Sequence, residues 1–167
     1  MLRHLLFTYR FNLDRGQTLV RDLSAEQMVR QPHGVVNHPA WTLGHLAQAS
    51  NQLAVALGLE STFPAAWKEA FRTGATPNSD VAAYPAKDAL LAEFAAQHER
   101  VSNVFEAAEP TALDATLARE HPNERTRQRF PTVGDYAIFL ITSHEGSHLG
   151  QIAAWRRAMG LGSATGI

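Results

Sequence analysis

Apolar residues recur with helical spacing in four stretches of the chain. Over 2–23, Leu2, Leu5, Leu6, Tyr9, Leu13 and Val20 fall on one face. Ser24 and Gln27 then form the pattern of a capping box for a short helical turn. The spacing predicts a second helix over 39–57, with Asn37 or His38 as its cap, Pro39 in its first turn and Gly58 at its stop. A third runs over 86–108, with the stripe Leu90, Leu91, Phe94, Val101 and Phe105. The fourth, and most apolar, is expected as one continuous helix over 133–159, opened by a Thr132–Asp135 box and ended by Gly160. Between the second and third lies a long connection, 59–85, with room for one short helix over 64–71. "RQPHGVVNHP" and the stretch holding Pro110, Pro122 and Pro131 read as loops. The segments "TFPA" and "RFPTV" are too short for a sheet. Four long helices in 167 residues predict a single all-α domain, 1–167, with four-helix-bundle architecture.

Composition narrows the function. The chain has no cysteine, which excludes disulfides, thiolate metal sites and a cysteine nucleophile. Its net charge is −1, with Arg and Glu interspersed, so no nucleic-acid-binding face is expected. The longest apolar run, "YAIFLI", is far short of a membrane span, and the first residues lack the apolar centre of a signal peptide. A soluble, cytoplasmic protein with no membrane partner is expected.

The chemistry concentrates in "SHEGSHLGQI". His144-Glu145-Gly146-Ser147-His148 matches H-E-x-x-H, the helix motif of zinc proteases. At about 100° per residue the two histidines lie about 40° apart, on a stripe with Ala137, Ile141, Gln151, Trp155 and Met159. Arg156 and Arg157 fall outside that stripe. A buried imidazole without a partner costs roughly 1–3 kcal/mol, so one stripe histidine is most simply a hydrogen-bonded core residue. Two at i, i+4 can instead point at one ion. The protease reading fails on its further requirements. The position three after His148 is Gln151, six after is Ala154, and no acidic residue follows Glu145. A third ligand is therefore expected upstream.

Six other histidines compete for that place. His33 and His121 sit in loops beside prolines, His4 lies off the apolar face, and helix capping explains His38. His98 is on the stripe of the third helix between Phe94 and Val101. His45 shares a face of the second helix with Trp41, Ala49, Gln52 and Ala56, where small residues leave room for an ion. His38 lies on the order of 10 Å along that helix and cannot share a metal with His45. Geometry favours His45 over His98 and leaves both standing.

"PAWTLGHLA", "AFRTGATPNSDVAAYPAKDALLAEFAAQHERV" and "FPTVGDYAIFLITSHEGSHLGQIAAWRRAMGL" together resemble the DinB/YfiT-like family of metalloenzymes. The most specific matches are W-x-x-x-H, at Trp41 and His45, and H-x-x-x-H-x-G-Q, at His144 through Gln151. The resemblance implies a four-helix bundle of up-down-down-up topology, with the connection 59–85 as its crossover. It implies a metal held by His45, His144 and His148.

Three neutral imidazoles leave a divalent ion its full charge and an open coordination position. Such an ion polarises a bound group or acidifies a bound water. Imidazole suits zinc and nickel, the first expectations, and also iron or manganese. Glu145, flanking the metal stripe, is a candidate general base or an orienting carboxylate. Gln151, Trp41 and His98 are candidates for the pocket wall or for support of the ligands. Characterised relatives include thiol-dependent S-transferases and a thiol-dependent isomerase. The resemblance thus implies a metal-dependent enzyme on a small-molecule substrate, with a low-molecular-weight thiol as cosubstrate. A non-catalytic metal-binding bundle and a hydrolase with Glu145 as base are the alternatives. A homodimer is expected.

Overall fold

The computed structural model describes residues 2–117 and 124–164, apart from the side chain of Pro110. The described residues form helices joined by turns and loops: α1 (Leu2–Val20), α2 (Ala25–Met28), α3 (Pro39–Ala56), α4 (Lys68–Phe71), α5 (Lys87–Ala107), α6 (Glu124–Arg129), α7 (Val133–Ile138), then a π-helical segment, Phe139–His144, that leads directly into α8 (Glu145–Ala158). No strand occurs among the described residues, where Thr116 and Thr132 form an isolated antiparallel bridge. None of the described helices is long and apolar enough to cross a membrane.

The termini follow the capping chemistry. Ser24 and Gln27 form the expected reciprocal box, as do Thr132 and Asp135. His38, rather than Asn37, caps α3: its Nδ1 accepts from the Trp41 amide at 3.2 Å. Its Nε2 then donates to the Asn78 carbonyl at 2.9 Å, so this buried ring is neutral and fully used. The expected helix over 64–71 divides into a 3₁₀ turn, Ala65–Trp67, and α4.

α3 packs along α5, α1 packs on α5 and α8, and α3 also meets α8. One apolar cluster joins Leu90 and Phe94 of α5 to Leu149, Ile152 and Trp155 of α8. A second, towards the other end, joins Tyr9, Leu53, Val101, Phe105 and Ile141. Burying each large side chain of this kind contributes about 1.5–3 kcal/mol. The long connection is tied down by Asn51 of α3, whose Oδ1 accepts from the amides of Thr62 and Phe63 at 3.0 and 3.2 Å.

Two expectations need correction. The stretch between α5 and α7, read as loop, contains α6, where Gln128 donates to Glu124 at 3.2 Å one turn away. The expected continuous fourth helix is broken in phase. Up to Ile141 the buried positions include Val133, Ala137, Leu140 and Ile141. An uninterrupted α-helix would carry that stripe to His144, His148, Gln151 and Trp155. The π segment adds one residue to a turn, a rotation of about 100°. Beyond it the buried line is Glu145, Leu149, Ile152 and Arg156, with Trp155 beside it. Arg156, expected outside, is therefore buried at 4 % exposure and forms a two-pronged ion pair with Asp22 at 2.6 and 2.9 Å.

Candidate metal centre

The same phase shift sets the site. It turns His144 and His148 to the edge of the helix, half-buried, where they meet His45 of α3. One ligand atom from each of the three rings lies within 4.8 Å of the others. The Nε2 atoms of His45 and His144 are 3.1 Å apart. Two nitrogens on one tetrahedral zinc, each about 2.0–2.1 Å from it, stand about 3.3 Å apart. The His45–His144 spacing is close to that value, and His148 completes a cluster of the size an ion could draw together.

The opposite ring nitrogens decide which atoms are free to ligate. His45 Nδ1 donates to the Phe71 carbonyl at 2.8 Å, leaving Nε2 unprotonated. His148 Nδ1 donates to Gln151 Oε1 at 3.2 Å, and the same oxygen accepts from Asn37 at 3.0 Å. This is how metal-binding imidazoles are oriented and made more basic. His144 Nδ1 is buried with no hydrogen-bond partner. The Trp41 ring stacks on His45, with centroids 4.7 Å apart and planes 8° from parallel, and its Nε1 donates to the Ala70 carbonyl at 3.0 Å.

A close backbone approach makes the Phe71 contact possible. A Cβ on Gly44 would sit 2.3 Å from the Phe71 ring. Glycine there lets the ring lie flat on α3, which brings the Phe71 carbonyl to His45.

Burial holds all three rings neutral. Desolvation, with the neighbouring rings adding repulsion, pushes His144 down to about 3. His148 falls to about 4 for the same reasons. Burial also lowers His45, partly offset by its bond to Phe71. Neutral imidazole is the form that binds a metal.

Above the rings opens a cavity of about 480 Å³, into which His45, His144 and His148 all project. Trp41 and Phe139 contribute aromatic wall, Gln48 and Gln52 line it from α3, and Arg125 and Arg129 border it from α6. Sequence reasoning missed both arginines, although their i, i+4 spacing is visible in "ERTRQR".

The remaining expected site residues divide. Trp41 lines the cavity, while Gln151, itself exposed, does not and acts through His148. Glu145 and His98 are absent from the cavity wall and lie in the core at 2 and 1 % exposure. Glu145 Oε2 accepts from Asn12 at 3.0 Å, and Oε1 lies 2.8 Å from His98 Nε2. That last contact is too oblique for an aligned hydrogen bond, so the two meet as a charge pair when the ring is protonated. His98 also donates to the Phe94 carbonyl at 2.9 Å and stacks on Tyr9 at 4.0 Å. It stands apart from the ligand cluster, which is why the cluster is completed by His45. His121 lies outside the described residues.

The helical fold, the histidines of α3, the π segment and α8, and the cavity above them coincide with a match to the DinB superfamily model over residues 8–152. The chain belongs to the DinB superfamily. No curated protein and no solved structure matches it at a significant level. Within this superfamily domain the matched span contains every candidate ligand, from His45 to His148.

Proposed function

We propose that this protein is a divalent-metal-dependent enzyme acting on a small molecule, of the thiol S-transferase type. The observation that carries the reading is a set of three neutral imidazoles facing a cavity of about 480 Å³, a volume within the range of small-ligand sites. A structural metal site is normally closed by four protein ligands, and here the described residues offer three. Zinc or nickel is the preferred ion, with iron or manganese compatible with the same donors.

When bound, the ion supplies a Lewis acid that stabilises a thiolate or polarises an oxygen. The protein's own part is orientation. The Phe71 carbonyl and Gln151 hold the His45 and His148 rings with Nε2 towards the cavity. Trp41 covers His45 and restricts water on that side. In the transfer itself the sulfur of a low-molecular-weight thiol forms a bond to an electrophilic carbon. The leaving group departs with its electron pair, and the thiol proton passes to solvent.

The hydrolase alternative, with Glu145 as general base, has weaker support. A base must reach the proton it takes, and Glu145 is spent on Asn12 and His98 in the core. The reading includes an up-down-down-up order of α1, α3, α5 and the α7–α8 segment. It also includes a homodimer, for which Phe7 and Phe11 offer exposed aromatic surface on one side of α1.

The test is turnover of monobromobimane by untagged, metal-loaded protein, with and without 2-mercaptoethanol. Thiol-dependent turnover above the uncatalysed rate, lost in His45→Ala, is the expected result. Turnover that needs no thiol and collapses in Glu145→Gln would replace this reading with hydrolysis.

A further inference from the structure

The cavity carries a charge pattern that metal binding does not require. Arg125 and Arg129 are the charged side chains on its wall, and no carboxylate is among the described residues that line it. The whole chain is close to balanced, with 15 Lys and Arg against 16 Asp and Glu, so the charge of the described wall is not that of the chain at large. The arginines are four residues apart on α6 and so share one face of it. The Arg129 guanidinium lies 5.8 Å from the centroid of the Phe130 ring, which gives it a surface to rest on. Trp41 and Phe139 line the same space.

We propose that this cavity binds a small organic anion. Its carboxylate or phosphate group sits against Arg125 and Arg129, and its apolar portion lies against Trp41 and Phe139. The proposal rests on the metal-dependent reading of the same site. Guanidinium groups match carboxylate and phosphate with paired, charge-assisted hydrogen bonds. A cleft lined by one sign of charge concentrates counter-ions, and a divalent ion at the histidines adds to the same field. A cationic substrate would meet Arg129 and the divalent ion, with no acidic group among the described residues of the wall. The anionic group belongs either to the electrophile or to the thiol partner, and both present the same oxyanion chemistry to α6.

The test is equilibrium binding by calorimetry on untagged, zinc-loaded protein, with no turnover needed. One arm compares 4-phenylbutyrate and phenyl phosphate with neutral 4-phenylbutyramide. The other compares 3-mercaptopropionate with 2-mercaptoethanol. In at least one arm the anion should bind about tenfold tighter than its neutral partner. The preference should weaken as salt is raised. It should vanish in the Arg125→Ala/Arg129→Ala double variant and survive in part in Arg125→Lys/Arg129→Lys, with zinc content and helical circular dichroism unchanged in both. The arm that shows the preference assigns the anion to the electrophile or to the thiol.

Equal binding of acid and neutral probe in both arms, binding of none of the probes, or a preference unchanged in the double alanine variant overturns the proposal. A preference lost in zinc-free His45→Ala but kept in the double alanine variant would make the metal the anion receptor. That result sinks the arginine site and leaves the metal-dependent reading intact. An arginine-dependent preference in protein that takes up no zinc does the reverse.

Discussion

The side chain of Asn12 donates to the backbone carbonyl of Ile141 at 2.8 Å. Ile141 lies inside the π segment, where widening of the turn strains the regular backbone ladder. The same amide nitrogen also reaches Glu145 Oε2 at 3.0 Å. One buried residue of α1 thus holds both the irregular turn and the first residue after it, and His144 lies between them. Asn12→Ala should destabilise the fold by about 1–3 kcal/mol, because two buried acceptors lose their donor. It should also weaken metal binding by roughly tenfold or more, through loss of ligand positioning. Urea unfolding and a competitive metal titration measure the two effects. Unchanged metal affinity would show that the turn keeps its phase without Asn12.

Metal content follows from the ligand set. About one divalent ion per chain is expected, lost in His45→Ala, His144→Ala and His148→Ala. His98→Ala and His38→Ala should keep it, since both rings are committed elsewhere in the core. Elemental analysis of untagged protein decides this, and retention in His45→Ala would refute the third ligand. Chelation should lower the melting temperature and leave the helical circular dichroism intact at 25 °C, because the apolar clusters of the bundle do not depend on the ion.

Acid should destabilise the metal-free protein in a defined window. His38, His144 and His148 have folded-state values of about 4, 3 and 4, below the ordinary 6.5. Between those limits the unfolded chain takes up protons that the folded chain refuses. The stability they contribute is therefore fully present above about pH 6.5 and falls as pH drops towards 4. Each group contributes a slope of up to about 1.4 kcal/mol per pH unit. Denaturant titrations at several pH values measure the trend, and a flat profile from pH 6.5 to 4 would mean that these rings are solvated.

Gly44→Ala should act at a distance of one residue from the ligand it disturbs. The new methyl group would overlap the Phe71 ring at 2.3 Å, so the ring must move and carry its carbonyl away from His45. Overpacking of this kind costs about 1–3 kcal/mol. Metal affinity should fall by about 10–100-fold, the usual effect of losing a ligand's outer hydrogen bond. A stability loss without an affinity loss would show that the Phe71 carbonyl does not orient His45.

Glu145→Gln separates chemistry from support. With Glu145 buried on Asn12 and His98, the variant should turn over a thiol-dependent electrophile within about tenfold of the wild type. Its main effect should be on stability, since Glu145 is buried against Asn12 and His98 and does not line the cavity. A far larger loss of turnover at unchanged stability would restore it as the base.

Much of this protein was legible along the chain. Spacing located the four long helical segments, and side-chain chemistry located the caps at Ser24 and Thr132 and narrowed the third to Asn37 or His38, because those features are local. The pair His144 and His148 was visible for the same reason, since residues four apart on a helix are neighbours whatever surrounds them. Tertiary structure decided the rest. The π turn shifts the buried stripe of the last helix by one residue, moving Glu145 and Arg156 into the core and the histidines to the cavity edge. No periodicity within that helix announces the shift, because part of its support comes from Asn12, 129 residues away. Likewise the choice of His45 over His98 rests on which neighbours α8 faces: His98 meets Glu145, and His45 meets the two histidines. The arginines of α6 were readable as letters, but their place on the wall of the histidine cavity is a tertiary fact that no local pattern in the sequence carries. A helix's own sequence sets its face pattern, and the packing of distant segments sets where that face points.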